Sequence, residues 1–163
     1  MAKVIRNNAV EEDQWNVIKE INAISELPAG KVIVPLNLWL AEKAVLKARG
    51  QFGVWLKSDQ PPEVLVKDLA DIEIIAIHFP AFTDGRGYSY ARLLRERYSY
   101  KGEIRAIGDV LQDQLFFMKR CGIDSYEVRA DKDIEKALSG LNAFSETYQA
   151  AVDQPVPLFR RRQ

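Results

Sequence analysis

Histidine and cysteine are nearly missing from this chain: its 163 residues include one of each, His78 and Cys121. One cysteine excludes an internal disulfide and a catalytic dithiol, and it agrees with a reducing compartment. With one histidine and dispersed carboxylates, no metal-ligand spacing can be recognised, and no metal site is expected. Net charge is missing as well, because 23 basic residues face 23 acidic ones. No overall field therefore draws the chain onto nucleic acid or lipid. Long apolar runs are absent, and the N-terminal MAKVIRNNAVEEDQW has no stretch of signal-peptide length. A spanning helix needs roughly 20 apolar residues, so the expectation is a cytoplasmic protein without membrane or nucleic-acid partners. No nucleophile triad or complete nucleotide motif occurs, and no cofactor is predicted.

What is present is enough apolar material for one continuous core, with 47% hydrophobic and 28% charged residues. The sequence divides into a single α/β domain over residues 1–154 and an extended, proline-punctuated basic tail over 155–163, QPVPLFRRRQ including its first residue, Gln154. The Arg160-Arg161-Arg162 run reads as a solvated end. Residues 79–129 carry 9 basic and 7 acidic groups, whereas 1–78 carry 9 and 11, so the middle of the chain is slightly positive.

Along the chain, Lys3–Arg6 fits a short strand, and the helical spacing of Trp15, Ile18, Ile21 and Ile24 predicts a helix over Glu12–Glu26. After the Pro28-Ala29-Gly30 break, strands and helices alternate. Strands are predicted at Val32–Leu36, Gly53–Lys57, Ile72–His78, Glu103–Ile107 and Ser125–Val128. The intervening helices run from an Asn37 cap to Arg49, from Ser58 to Ala70, over Ser89–Tyr98 and over Val110–Cys121. Two more follow at Asp131–Ser139 and Leu141–Ala151, broken at Gly140. IEIIAIH is apolar almost throughout, which suits a central strand covered on both faces. Five strands alternating with helices predict a mostly parallel sheet with helices on both faces, flavodoxin-like or Rossmann-like, with a partial β/α barrel as the alternative. Either fold works at the carboxyl ends of its strands.

Unusual chemistry gathers between Ile77 and Asp109, which holds the histidine, a double-glycine loop and five arginines. Asp84, Gly85, Arg86 and Gly87 lie between a strand and a helix, where backbone N–H groups and the helix dipole favour an anion. Arg86, Arg92 and Arg105 can add charge-assisted bonds to a sulfo, phospho or carboxylate group. The structural alternative is a tight turn with the arginines paired to Asp84, Glu96 and Glu103. Tyr90 stands where a dinucleotide fingerprint needs its third glycine, and no lysine-serine pair follows as in a P-loop.

His78 ends the central strand and has an ordinary pKa near neutrality, so it is a candidate for proton transfer; strand-end histidines also serve as scaffold. Asp109 shares that catalytic candidacy, with a helix N-cap as its competing role. Helical wheels turn Leu93 and Phe116 away from their apolar faces, toward a partner or second subunit, while Phe117 falls on the buried side. Gln114 is polar on an apolar face and is a candidate for lining the same cleft. Cys121 reads as an inert packing residue.

The run FPAFTDGRGYSYARLLRERYSYKGEIRAIGDVLQDQLFFMKRCGIDSYEVR, with VIVPLNLW and FGVWL upstream and FSETYQ downstream, resembles the bacterial family of domain of unknown function nine-thirty-four. That resemblance implies a cytoplasmic protein encoded beside sulfite reductase and related sulfur-assimilation enzymes, and carries a label of oxidoreductase in sulfite reduction without a transferable active site. The resulting expectation is an accessory protein of sulfite reduction that binds the reductase, another sulfur-assimilation protein, a second copy of itself or a small sulfur oxyanion. The alternative is an enzyme acting on a small anionic substrate.

Overall fold

A sheet of eight strands organises the computed structural model, which describes residues 2–80 and 85–141. The strands are β1 (Lys3–Arg6), β2 (Ala9–Glu12), β3 (Trp15–Val17), β4 (Lys31–Pro35), β5 (Phe52–Leu56), β6 (Ile74–Phe79), β7 (Glu103–Gly108) and β8 (Ser125–Tyr126). Their spatial order is β2-β1-β8-β7-β6-β5-β4-β3. From β3 to β8 each strand lies parallel to the next in chain order. β1 runs antiparallel to both β8 and β2.

This connectivity forces the sheet to curl. β2 and β3 are its two edges, yet β2 ends at Glu12 and β3 begins at Trp15. Seven interstrand spacings of about 4.8 Å would separate the edges of a flat sheet by about 33 Å. Three Cα steps reach at most about 11 Å. The result is a half-barrel, so the partial-barrel alternative fits and the five-stranded flavodoxin-like arrangement is corrected. The helix expected over Glu12–Glu26 is corrected too: its first part forms the end of β2 and all of β3, and only Ile24–Glu26 makes a 3-10 turn. Asn7 and Asn8 have φ of 53° and 62°, the left-handed pair that a two-residue hairpin turn requires between β1 and β2.

Because the parallel strands are added in one direction only, right-handed crossovers put their connections on one side, the convex one. Leu36–Ala41 (α1) and Lys43–Arg49 (α2) join β4 to β5, and a long 3-10 segment, Pro62–Asp71, joins β5 to β6. Next come Arg86–Arg92 (α3), continued by a π turn over Leu93–Arg97, then Gln112–Arg120 (α4) and Ile134–Leu141 (α5). Several boundaries differ from the pattern reading. The N-cap position of α1 is Pro35 in place of Asn37, in extended backbone (φ −66°, ψ 153°) and without a side-chain cap bond. α5 continues through Gly140 without the expected break. The helix expected at Leu141–Ala151 and the basic tail lie outside the described residues.

Strand alternation feeds two apolar layers. Val32, Val34, Val54, Leu56, Ile75, Ile77, Phe79, Ile104 and Ala106 point toward the helices and form the large core with Trp39, Leu65, Leu94, Leu115 and Met118. Ile33, Trp55, Ile74, Ala76 and Ile107 fill the concave side against Trp15 and Val17. Burial of both faces explains why β4, β5 and β6 lack the polar alternation of a half-exposed strand. Arg105 also points into the concave side and is 1% exposed. It donates to Asp13 Oδ1 (2.8 Å), Glu103 Oε2 (3.1 Å) and Ser125 Oγ (2.7 Å). Since Asp13 lies in the link between the two edges, this ion pair holds the curled sheet across its hollow.

Candidate functional site

The parallel strands end on one rim, where β5 and β6 bound a cavity of about 360 Å³. Its lining comprises Trp55, Lys57, Ser58, Asp59, His78, Pro80 and Arg86. Lys57, Ser58 and Asp59 follow β5, and the Lys57 N–H is held by Gln60 Oε1 at 2.8 Å. Arg86 opens α3 and donates from Nη2 to Ser58 Oγ at 3.1 Å. Tyr90, one turn on, donates its hydroxyl to the Ser58 carbonyl. The β5-to-β6 loop and the start of α3 are therefore tied together around the cavity mouth.

His78 sits on the concave side of β6, half-buried, with its ring 5.8 Å from that of Trp55. Trp55 is fixed by its indole N–H, which donates to the Ile18 carbonyl at 2.9 Å. Lys19 Nζ lies 5.8 Å from the centre of the Trp55 ring. Burial first, and then the positive charges of Lys19 and Lys57, hold the imidazole below its usual pKa. His78 is thus mainly neutral near pH 7 and presents one donor and one acceptor. Gly108 permits its position: at φ +92°, a Cβ there would lie 2.6 Å from the Phe79 carbonyl oxygen and 3.0 Å from two imidazole atoms.

Of the residues singled out in the sequence, His78 and Arg86 meet at this cavity, and the others separate from it. Asp84 lies outside the described residues. Gly85 is exposed at the start of α3, whereas Gly87 is buried. A Cβ on Gly87 would stand 2.6 Å from the Phe79 ring, so this glycine serves close packing and not an anion cradle. Arg92 is at the far end of α3, roughly 9 Å along the axis from Arg86. Arg105 is committed to its buried network.

Asp109 neither caps α4 nor lines the cavity. The N-cap position is Leu111, and Asp109 accepts from Arg129 Nη1 at 2.9 Å. Gln114 turns back on its own helix, where Oε1 accepts from the Leu111 N–H at 3.2 Å; Nε2 is buried without an acceptor among the described residues. Leu93 and Phe116 are half-buried. The outward aromatic on α4 is Phe117, 51% exposed and edge-on to Tyr88 at 4.9 Å. Val110 and Leu111 lie outside α4 and do not set its buried face, which Leu115, Met118 and Arg120 define instead, leaving Phe117 outward. Cys121 is fully buried.

Trp55, Lys57 and Ser58 were not singled out in the sequence. Their one signal was position, since FGVWLKSD is an apolar strand ending in polar residues, and strand carboxyl ends are where such a fold works. Among the described residues, no helix is long and apolar enough to cross a membrane. The family model for the bacterial protein of unknown function (DUF934) matches residues 53–159, and the chain belongs to that family. Neither a curated protein nor a solved structure matches it.

Proposed function

We propose that this family member binds a small sulfur oxyanion as an accessory to sulfite reduction, in the cavity between the carboxyl ends of β5 and β6. The observation that carries this reading is the meeting of Arg86, Lys57, Ser58 and His78 at one cavity of about 360 Å³. A guanidinium, an ammonium, a hydroxyl and an imidazole supply the donors a tetrahedral or pyramidal oxyanion takes up, and Trp55 walls one side. The sulfur assignment comes from the gene neighbourhood that the resemblance implies. Asp59 favours a ligand that is singly charged or that brings a proton of its own.

Calorimetric titration with sulfite, sulfate and phosphate tests the reading. Charge-assisted hydrogen bonds contribute about 1.5–3 kcal/mol, so Arg86→Ala weakens sulfite binding roughly tenfold or more. Equal binding by wild type and variant removes Arg86 from the site, and no binding of any of the three oxyanions removes the proposal. Catalysis is not part of it, because His78 and Asp109 line different places and Asp109 is held by Arg129.

A further inference from the structure

A second cavity, of about 450 Å³, opens on the same rim, and its lining includes Lys3, Lys19, Gly108, Glu127, Arg129 and Lys132. Its volume is within the range of about 300–1,000 Å³ usual for small-molecule sites. Glu127 directly follows β8, and its N–H donates to the Ala106 carbonyl at 2.9 Å. Alternation from Ser125 puts it on the concave side. Glu127 Oε2 is buried, and no donor among the described residues reaches it. A buried carboxylate oxygen without a donor is unfavourable, so the half-buried Glu127 side chain gains by turning that oxygen into the cavity it lines, where a donor from outside the chain can meet it.

The cations around it call for the opposite charge. Arg129 is occupied by Asp109 and Asp131, each at 2.9 Å. Lys3, Lys19 and Lys132 are exposed at the cavity. A simple amine would satisfy Glu127 but meet three lysines. A simple acid would satisfy the lysines but leave Glu127 without a donor and repel it. We infer that this cavity is a binding site for a small zwitterion, an α-amino acid, whose ammonium group donates to Glu127 and whose acid group faces Lys3, Lys19 and Lys132. The inference does not depend on the oxyanion reading, since it uses another cavity; Lys19, which lines it, also stands over the Trp55 ring of the first.

The experiment is calorimetric titration of the full chain with each of the twenty common amino acids and, for each one that binds, with the same acid lacking its amino group, such as succinate for aspartate. The expected result is binding of at least one amino acid, with its deaminated counterpart about tenfold weaker or worse, as loss of a charge-assisted bond implies. Glu127→Gln weakens that binding by a similar factor and Lys132→Ala weakens it too, while Arg86→Ala leaves it unchanged. A thermal melt reports whether Glu127→Gln folds as wild type does. If it does not fold, the exposed Lys132→Ala variant decides by the same criterion. No amino-acid binding, equal binding of the deaminated acid, or indifference to the deciding variant overturns the inference. An effect of Arg86→Ala on sulfite alone leaves the two sites separate.

Discussion

Replacing Arg105 by methionine removes the ion pair that holds the curled sheet across its hollow. Arg105 is 1% exposed, and the side chains of Asp13 and Glu103 are 7% and 12% exposed. The variant leaves Glu103 paired with Arg6 at 3.1 Å and, among the described residues, Asp13 with only the Trp15 N–H, at 2.9 Å. Breaking one side of a buried pair costs about 3–5 kcal/mol, and the remaining partners favour the lower end, about 3 kcal/mol. Against a total stability of about 5–15 kcal/mol this is a large share. Urea unfolding followed by tryptophan fluorescence should show the midpoint falling by about 1–2 M. Adding Asp13→Asn removes the stranded charge, so the double variant should lose less than the sum of the two single losses, with a coupling above about 1 kcal/mol. A loss below about 1 kcal/mol for Arg105→Met, or strictly additive losses, would refute the closing role of this pair.

Four further outcomes follow from the geometry. Sulfate keeps its charge across the near-neutral range, so its binding should tighten as pH falls below the ordinary histidine value of 6.5, and His78→Gln should flatten that dependence. The same depressed pKa works against folding in acid: the unfolded chain takes up the His78 proton first, so stability present above pH 6.5 is lost as pH falls toward the folded value. Differential scanning calorimetry between these limits, with and without His78→Gln, reads it. Gly108→Ala should destabilise by about 1–3 kcal/mol, because its Cβ would meet the Phe79 carbonyl at a φ of +92°; an unchanged melting temperature contradicts the close approach. On α4, Phe117→Ser should cost less than Phe116→Ser, whereas Leu115→Ala should cost about 2–5 kcal/mol. The reverse order for the two phenylalanines would restore the wheel that begins at Val110.

Much of the strand pattern was legible because double burial leaves a chemical trace. β4, β5, β6 and β7 stand within two residues of their expected positions, since each is a short apolar run bounded by proline, glycine or polar residues. The first thirty residues misled because Trp15, Ile18, Ile21 and Ile24 recur at a helical interval, yet Trp15 fills the hollow and Ile18 and Ile24 pack on the other core layer. The Asn7-Asn8 turn was the available counter-signal. At the candidate site, His78 and Arg86 could be picked out by residue type, but Lys57 and Ser58 reach the cavity only because β5 is the neighbour of β6.

The sequence by itself determined an alternating α/β chain, a buried central strand ending at His78, and a family membership resting on residues 53–159. Those properties are local: they follow from period, punctuation and residue chemistry over a few turns of chain. Only the tertiary structure decided that each parallel strand is added on the same side of the last, that the two sheet edges meet at Asp13, and that Arg105 faces inward. It also moved Asp109 out of the cavity and brought Trp55, Lys57 and Ser58 into it. Each of these depends on which strands become neighbours, and that is settled by burying both faces of the sheet at once, a constraint no short window of sequence contains.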